Sequence, residues 1–224
     1  MEAYNALVSP LLPLFPLDLV LLPETQLPLH IFEPRYKEMI GECLRRKELF
    51  GVVRATVIEE GEAAATQRIS NCGCTAEIVD VLRTYPDGRL DILALGRERF
   101  EVISFDEERS FLRGEVGYFC DDPQGPSADS VSLADMYKAA LELHNEMVLI
   151  TDSHPGALNP ASDTLSFHLA GALPIDMDLK QSLLEMRSEQ LRMRTLLDFY
   201  AQAIPKLKLV AFGRKKAGGN GWVN

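Results

Sequence analysis

Four cysteines are the first residues in this sequence whose type and spacing could do chemistry. Cys72 and Cys74 form a Cys-x-Cys pair, and Cys43 and Cys120 stand far from that pair along the chain. A structural zinc ion takes four ligands, usually from two such pairs, and only one pair is present here. Free cysteine is among the most buried residue types. We therefore interpret the Cys-x-Cys pair as core residues of a strand and predict no metal site.

The histidines and glycines form no catalytic or nucleotide-binding motif. His30, His144, His154 and His168 show neither H-x-x-x-H nor H-E-x-x-H spacing. The sequence has no G-x-S-x-G nucleophile elbow and no G-x-x-x-x-G-K-[ST] phosphate loop. We therefore expect a protein that is not an enzyme and that uses no cofactor.

Four arginines between residues 97 and 113 could contact nucleic-acid phosphates. Acidic residues alternate with them, and the whole chain carries 23 Lys+Arg against 33 Asp+Glu, a net charge of −10. A surface of this charge repels phosphate groups. RNA binding is therefore kept as the alternative function, and nucleic acid is not the expected partner. The arginines are Arg97, Arg99, Arg109 and Arg113.

The composition is that of an ordinary globular protein. The 224 residues are 46% apolar and 25% charged, and no apolar run reaches the ~20 residues that a membrane span needs. The first residues, Met1–Asn5, lack the basic region of a secretory signal. With only four cysteines, no disulfide framework is indicated. We expect a cytoplasmic protein with no membrane partner.

The elements that position these residues begin with two short apolar runs broken by prolines, at 12–23 and 27–32. Proline cannot donate to a sheet, so it is confined to strand ends, edges and bulges. These runs predict short, bent strands at the rim of a barrel. From Pro34 the apolar residues follow a helical period, which predicts a helix over 34–47, and a strand follows at 49–53.

The following region alternates with a period of two residues. Thr84–Arg89 contains Pro-Asp-Gly between two apolar runs, which predicts a hairpin turn. Short strands are expected at Leu90–Leu95, Phe100–Phe105 and Phe111–Phe119. Many short strands with close turns favour a small barrel formed by residues 1–120.

Beyond the linker at 121–126 the apolar period becomes helical, which predicts a helical lobe over residues 127–205. The first helix begins after Ser130 or Ser132, and a short one runs from Thr164 to Ala172. A long helix is expected from Asp178 to about Ala203, ended by Pro205. Residues 206–224 are read as a basic, Gly-rich tail.

Several of these segments, in this order, resemble the amino-terminal substrate-binding domain of Lon proteases, and most closely the stand-alone proteins that consist of that domain. The resemblance covers roughly residues 12–200. The matching segments are Leu-Pro-Leu-Phe-Pro-Leu at 12–17, Pro-Leu-His-Ile-Phe-Glu-Pro-Arg-Tyr at 28–36, Phe-Gly-Val-Val at 50–53, Cys-Gly-Cys-Thr-Ala-Glu-Ile at 72–78, Ala-Leu-Gly-Arg-Glu-Arg-Phe at 94–100, Leu-Pro at 173–174 and Lys-Gln-Ser-Leu-Leu-Glu at 180–185.

The resemblance implies an α+β fold, with an N-terminal PUA-like β-barrel carrying one packed helix and a C-terminal helical bundle. It also implies a non-catalytic protein- or peptide-binding module, equivalent to the substrate-recognition domain of Lon without its ATPase and protease parts. The expected partners are unfolded or extended polypeptides, with a separate protease or chaperone as a further candidate.

Three aromatic residues near the predicted junction of barrel and helices are the candidate peptide-binding residues. Tyr118, Phe119 and Tyr137 could line a groove for an extended peptide. The alternative is that they pack in the core between the two lobes.

Overall fold

The computed structural model describes residues 11–58, 66–123, 131–151 and 164–218. It has an α+β fold, with six strands and five helices in the described part of the chain. In chain order these are β1 (Leu12–Leu17), β2 (Gln26–Ile31), α1 (Pro34–Arg46), β3 (Phe50–Ile58), β4 (Thr66–Thr84), β5 (Leu90–Asp106), β6 (Arg113–Phe119), α2 (Leu133–Thr151), α3 (Leu165–Ala172), α4 (Met177–Glu185) and α5 (Glu189–Gly218).

The described residues form two compact units. The first contains all six strands, α1 and the later segment Asp176–Glu185, which is helix α4. The second contains α2, α3 and α5. The sequence assigned residues 127–205 to one helical lobe, whereas the structure groups α4 with the sheet. Residues of α4 bond to strands of the first unit: Arg54 pairs with Asp178, and Gln181 donates to Ser70.

The six strands form one sheet in the order β2-β5-β4-β3-β1-β6, with a further pairing between β5 and β6. That extra pairing closes five of the strands into a ring. β4 takes one side of β5 along most of its length, so β2 and β6 must share the other side. β2 pairs with Leu90–Leu95 and β6 pairs with Arg99–Asp106. β2 therefore lies outside the ring, as an edge strand.

One long strand, β5, replaces the two short strands that the sequence predicted at 90–95 and 100–105. It continues without a break through Gly96, whose backbone bonds to that of Glu24 and Thr25. A Cβ at Gly96 would lie 2.2 Å from the carbonyl oxygen of Leu22, so only glycine lets this backbone approach. A residue pattern read in short windows cannot distinguish one long strand of this kind from two short strands in succession.

The core of the first unit lies inside the ring. Leu12, Leu14, Val53 and Phe100 form its centre, and all are buried. The predicted helix at 34–47 is confirmed as α1, with Pro34 at its first turn. Its buried face includes Tyr36, whose ring lies 4.1 Å from that of Phe15, together with Met39, Ile40 and Cys43.

The predicted hairpin turn is confirmed between β4 and β5. Gly88 has φ of +80°, the left-handed conformation that glycine adopts at no steric cost. Its N–H donates to the carbonyl of Tyr85 over 3.0 Å, which closes the turn.

In the second unit, the start of α2 agrees with the sequence. Ser132 caps the helix, accepting from the N–H of Asp135 at 3.2 Å. Ser130 lies outside the described residues, as does the predicted break at 153–160. The buried residues of α2, α3 and α5 form the core of this unit, among them Met136, Ala140, Phe167, Leu169, Met193, Leu196 and Tyr200.

The predicted long helix from Asp178 to about Ala203 begins within one residue of α4, but the prediction missed the break at 186–188 and placed the end too early. The chain divides into α4 and α5 because Ser188 caps α5, accepting from the N–H of Leu191. Asp176, rather than Asp178, caps α4. α5 then continues through Pro205 to Gly218, where the sequence predicted a tail beginning at residue 206. Proline costs about 3 kcal/mol inside a helix, but contacts with α2 extend beyond it, including Lys208 with Glu146.

The described helices were also compared with the length and hydropathy that a bilayer requires. None of them combines enough residues with enough apolar character to cross a membrane.

Candidate functional site

The three predicted site residues belong to different units. Tyr118 and Phe119 end β6 in the first unit, and Tyr137 lies on α2 in the second. Tyr118 is the most accessible of them, with 55% of its surface exposed. The guanidinium of Arg99 lies 4.6 Å from the centre of the Phe119 ring.

Tyr137 belongs to a buried ionic network. Its hydroxyl donates to Glu189 Oε1 over 3.0 Å, and the same oxygen accepts from the N–H of Ser166. Arg192 is fully buried and donates to both Glu189 and Asp121, with two bonds of 2.7 and 2.6 Å to the Asp121 carboxylate. These bonds raise the pKa of the Arg192 guanidinium against the opposing effect of burial. Within the second unit, this network connects Asp121 to the start of α5.

A cleft between β1 and β2 is the best candidate for a binding site in the described residues of the first unit. Its volume is about 290 Å³. The outer side of β1 pairs with β6 only at Leu12 and Pro13, so residues 15–17 have no strand beside them there. β2 likewise pairs only with β5 among the described residues. The β1–β2 cleft is lined chiefly by Phe15, Leu17, Leu29, His30, Phe32 and Tyr36.

The outer edge of β2 offers backbone groups to this cleft. Gly96 N–H donates to the carbonyl of Thr25, and strand residues alternate in direction, so Leu27, Leu29 and Ile31 direct their backbone groups towards β5. Pro28 and His30 direct theirs away from it. Pro28 has no N–H, which suits an edge position. The outer edge of β2 therefore leaves the carbonyls of Pro28 and His30, and the N–H of His30, available to pair with an added strand.

His30 is held in place at this edge by two neighbours. Its Nδ1 lies 2.5 Å from Asp91 Oδ1, and the hydroxyl of Tyr85 donates to Asp91 Oδ2 over 2.8 Å. Those two hydrogen bonds, that from His30 first, hold the pKa of the Asp91 carboxyl below its ordinary value. The His30 ring also stacks with Phe32, which is 58% exposed. Phe32 is thus an accessible aromatic surface with a fixed neighbour.

The β1–β2 cleft presents both apolar and polar groups beside an open strand edge. Its lining includes Glu33, Arg35 and Gln67 as well as the apolar and aromatic residues. Apolar and aromatic walls beside an open strand edge suit an extended peptide, whose main chain pairs with the edge and whose side chains enter the apolar space.

The four arginines of the possible nucleic-acid patch bond to groups of the protein itself. Arg97 pairs with Glu77, and Arg113 with Asp106. Arg99 is buried and donates to the carbonyl of Leu184. Arg109 bonds to two carboxylates of α1, those of Glu38 and Glu42. Bonding to Arg109 holds the pKa of Glu42 below its ordinary value, and for Glu38 the hydrogen bond from Ser110 contributes most.

Cys43, Cys72 and Cys74 are buried, and Cys120 is exposed. Burial raises the pKa of the Cys43 thiol to about 11 and that of Cys74 to about 12, so both thiols stay protonated at neutral pH. Metal binding requires thiolates. Within the described ranges, no three His, Cys, Asp or Glu residues come together as a metal site would require.

Comparison with protein families identifies the family to which this chain belongs. The family model of the ATP-dependent protease La (LON) substrate-binding domain matches residues 11–202. The chain belongs to this family. Lon protease 2 from Herpetosiphon aurantiacus is 26% identical to it over 216 residues, 93% of this chain and 25% of the relative. A Lon protease from Parabacteroides distasonis is 32% identical over 110 residues, 49% of this chain and 13% of that protein. The matched part of this chain thus spans a quarter or less of the length of these two relatives.

Solved structures agree with this membership. A crystal structure of a Lon N-terminal domain protein from Xanthomonas campestris is similar, with a TM-score of 0.60 and 28% identity, covering 84% of this chain and 97% of that one. The N-terminal domain of the Mycobacterium avium complex Lon protease has a TM-score of 0.56 over 85% of this chain and 98% of its own. At 16% identity the second likeness shows the fold alone.

The sequence did not single out the residues of the β1–β2 cleft as candidate binding residues, although the segments that contain most of them carry the resemblance. The signal was present in the strand prolines Pro16 and Pro28. Prolines at edge positions mark where a sheet is left unpaired. By contrast, no local pattern could predict the Arg192 network, because its members are separated by up to 71 residues in the sequence.

Proposed function

We propose that this Lon substrate-binding domain holds unfolded or extended polypeptide in the β1–β2 cleft, without catalysing a reaction. The observation that carries the proposal is the unpaired outer edge of β2 beside an apolar cleft with an exposed aromatic residue, Phe32. Strand addition at an open edge recognises any main chain, and apolar pockets add a preference for apolar side chains.

Family membership supports this proposal, because the family is described by the binding of substrate. We also propose that the closed ring of strands is the PUA-like barrel implied by the resemblance, that residues 127–205, apart from α4, form a helical bundle, and that a separate protease or chaperone acts on what the domain binds. Binding should be weak, about micromolar or weaker, since an extended client loses conformational freedom when it is held.

Tyr118, Phe119 and Tyr137 remain proposed as further client contacts. Tyr118 is the one to test, because its ring is largely exposed. Changing Tyr137 would also remove the hydrogen bond to Glu189, so a loss of binding there would have two explanations. If Tyr118 contacts clients, Tyr118→Ser weakens capture and leaves the melting temperature unchanged.

The proposed function is tested by replacing Phe32 with serine and measuring the fluorescence anisotropy of a labelled unfolded protein. Phe32→Ser should weaken binding by about tenfold, because truncating an aromatic anchor commonly removes 1–2 kcal/mol or more of binding energy. The control is Leu82→Ser on β4, where the leucine is exposed to a similar extent, 56% against 58%, but does not line the cleft.

Equal losses from both variants would place the binding surface elsewhere. Peptidase and ATPase assays accompany the titration. Turnover of peptide or nucleotide by the pure chain, or a failure to bind any unfolded client, would refute the proposal.

A further inference from the structure

Helix α5 exposes apolar side chains beyond Pro205. Leu209 has 74% of its surface exposed and Phe212 has 60%, and Pro205 is exposed as well. Residues three and four positions apart lie on the same side of a helix, so Pro205, Leu209 and Phe212 form one apolar strip along α5. We name these three residues the α5 strip. Covering it with an apolar partner would remove its surface from water, which is favourable.

Two lysines lie on either side of the α5 strip. At 3.6 residues per turn, Lys206 is about 60° around the helix from Leu209, and Lys208 is about 40° from Phe212 on the other side. Both lysines are exposed, and Lys208 pairs with the partly exposed Glu146. Such a pair on the surface contributes little to stability, so its lysine can exchange partners at low cost. A lysine stem can lie along apolar surface while its ammonium group reaches a neighbouring anion.

The charge of this part of the chain is opposite to that of the rest. Residues 206–218 contain five Lys+Arg and no Asp or Glu, whereas residues 1–205 contain 18 Lys+Arg and 33 Asp+Glu, a net charge of −15. A cationic segment attracts an anionic partner. The same charge opposes the pairing of two copies of the α5 strip face to face, because each copy would bring its own five cations.

The combination of apolar and cationic residues distinguishes between anionic partners. Nucleic acid is bound through its phosphates and by stacking on its bases, and exposed aliphatic residues such as Leu209 contribute to neither. A bilayer that contains anionic lipids presents phosphate groups directly above apolar chains. Helices with an apolar face and flanking lysines lie in that interface. Such binding to a surface needs no helix that crosses the membrane.

We propose that the last turns of α5 bind the surface of an anionic lipid bilayer, with Leu209 and Phe212 inserted among the acyl chains and Lys206 and Lys208 at the lipid phosphates. This activity goes beyond the binding of polypeptide in the β1–β2 cleft. The cleft belongs to the first unit and α5 to the second, so the two activities use different residues.

The test is co-sedimentation of the full chain with lipid vesicles. One set of vesicles contains equal parts of phosphatidylcholine and phosphatidylglycerol, and the other contains phosphatidylcholine alone. The chain should sediment with the anionic vesicles and stay in solution with the neutral ones, because the lysines need lipid charge. Raising the salt concentration should release most of the bound chain, since salt screens charges at a surface.

Two pairs of variants assign the contacts. Leu209→Ser should weaken vesicle binding about tenfold, the usual effect of losing one buried leucine side chain. Its control is Leu149→Ser on α2, where the leucine is 83% exposed. Lys206→Glu should weaken binding about tenfold or more, because it reverses one charge at the lipid surface. Lys138→Glu on α2 changes the net charge equally at another exposed position and should have little effect. Circular dichroism verifies that each variant is folded.

Several results would overturn the lipid site. They are the absence of sedimentation with anionic vesicles, equal sedimentation with neutral ones, or equal losses in the α5 variants and their controls. Binding to poly-L-glutamate without binding to vesicles would identify an acidic protein as the partner instead, and would also overturn it. Phe32→Ser should bind vesicles as the unaltered chain does. Client capture that persists without vesicle binding would refute the lipid site alone and keep the proposed function.

Discussion

At the scale of single residues, Gly73 shows how closely the sheet of the first unit is packed. A Cβ at Gly73 would lie 2.5 Å from the carbonyl oxygen of Val52 and 2.6 Å from the ring of the buried Phe100. A backbone oxygen in a paired strand cannot move aside. Gly73→Ala should therefore lower the free energy of unfolding by about 1–3 kcal/mol, the usual cost of overpacking.

Urea denaturation measures this loss, and Gly41 provides a matched control. Gly41 lies inside α1, and the nearest atom to an added Cβ is the end of a flexible arginine at 3.5 Å. Alanine favours helix over glycine, so Gly41→Ala should stabilise by about 0.5–1 kcal/mol. Equal effects from the two substitutions would show that Gly73 is not tightly enclosed.

A second residue, His144, should make the second unit sensitive to acid. His144 is buried, its Nδ1 lies 3.0 Å from the hydroxyl of Tyr200, and its Nε2 has no hydrogen-bond partner among the described residues. Burial lowers the pKa of His144 below its ordinary value of 6.5, and burial raises the pKa of Tyr200, so both stay neutral at pH 7. The unfolded chain takes up a proton near pH 6.5, whereas the folded chain takes it up only at lower pH.

The contribution of His144 to the free energy of unfolding is therefore fully present above pH 6.5. It is lost as the pH falls from 6.5 through the lower pKa of His144 in the folded chain. Urea titrations at several pH values should show this decline. In His144→Gln, which lacks a titrating ring, the difference in stability from the unaltered chain should shrink as the pH falls. A pH-independent difference would mean that His144 has an ordinary pKa in the folded state.

At the scale of elements, local patterns predicted the structure well wherever the cause was local. Pro34 with a helical apolar period gave α1, and Pro-Asp-Gly gave the β4–β5 hairpin. The errors arose where contacts distant in sequence decide. The period of 178–203 reads as one helix, yet the chain breaks at 186–188, and α5 passes Pro205. That α4 joins the sheet depends on its bonds to Arg54 and Ser70, more than 100 residues earlier.

The Arg192 network is the ionic connection at the start of α5, and we expect it to dominate the stability of that element. Arg192→Met would leave Glu189, which is 2% exposed, and Asp121 without their shared cation. Removing one partner from a buried ion pair costs about 3–5 kcal/mol. Chemical denaturation should show a loss of that size, whereas Tyr137→Phe, which removes one neutral hydrogen bond donor, should cost about 1 kcal/mol.

Lys206→Met serves as the control for α5, because Lys206 is exposed on the same helix. An exposed substitution of this kind usually changes stability by less than about 0.5 kcal/mol. A small effect of Arg192→Met, similar to that of Lys206→Met, would show that the carboxylates find other partners or become protonated.

At the scale of the whole molecule, the order of the segments that resemble the Lon substrate-binding domain was sufficient to predict the family. The α+β class followed from the apolar residues, whose period changes from that of strands to that of helices near residue 120. The proposed binding surface was harder to predict. The β1–β2 cleft depends on the way that β2 and β6 share one side of β5, and the cavity beside Arg54 depends on the loss of register between β3 and β4. Strand order and register are properties of the assembled sheet. Single aromatic residues such as Tyr118 therefore could not point to either cavity, and Tyr118 itself stays a prediction.

The charge of the whole chain distinguishes the proposed function from the alternative of RNA binding. The protein carries a net charge of −10, and the arginines at 97, 99, 109 and 113 all bond to its own carboxylates or carbonyls. Polypeptide bound through an apolar cleft and main-chain hydrogen bonds displaces few counterions. Its affinity for a labelled, nearly uncharged unfolded protein should change less than about threefold between about 50 and 200 mM salt.

A nucleic-acid binder with several phosphate contacts would instead lose about a thousandfold or more in affinity over that range. Anisotropy titrations of the unfolded client and of a single-stranded RNA, each at both salt concentrations, compare the two directly. We expect nearly constant client binding and, for RNA, binding that is weak at the lower salt and undetectable at the higher. Tight RNA binding at the higher salt, or client binding that falls steeply with salt, would reverse the order of the two functions, because both results require a cationic surface that releases counterions.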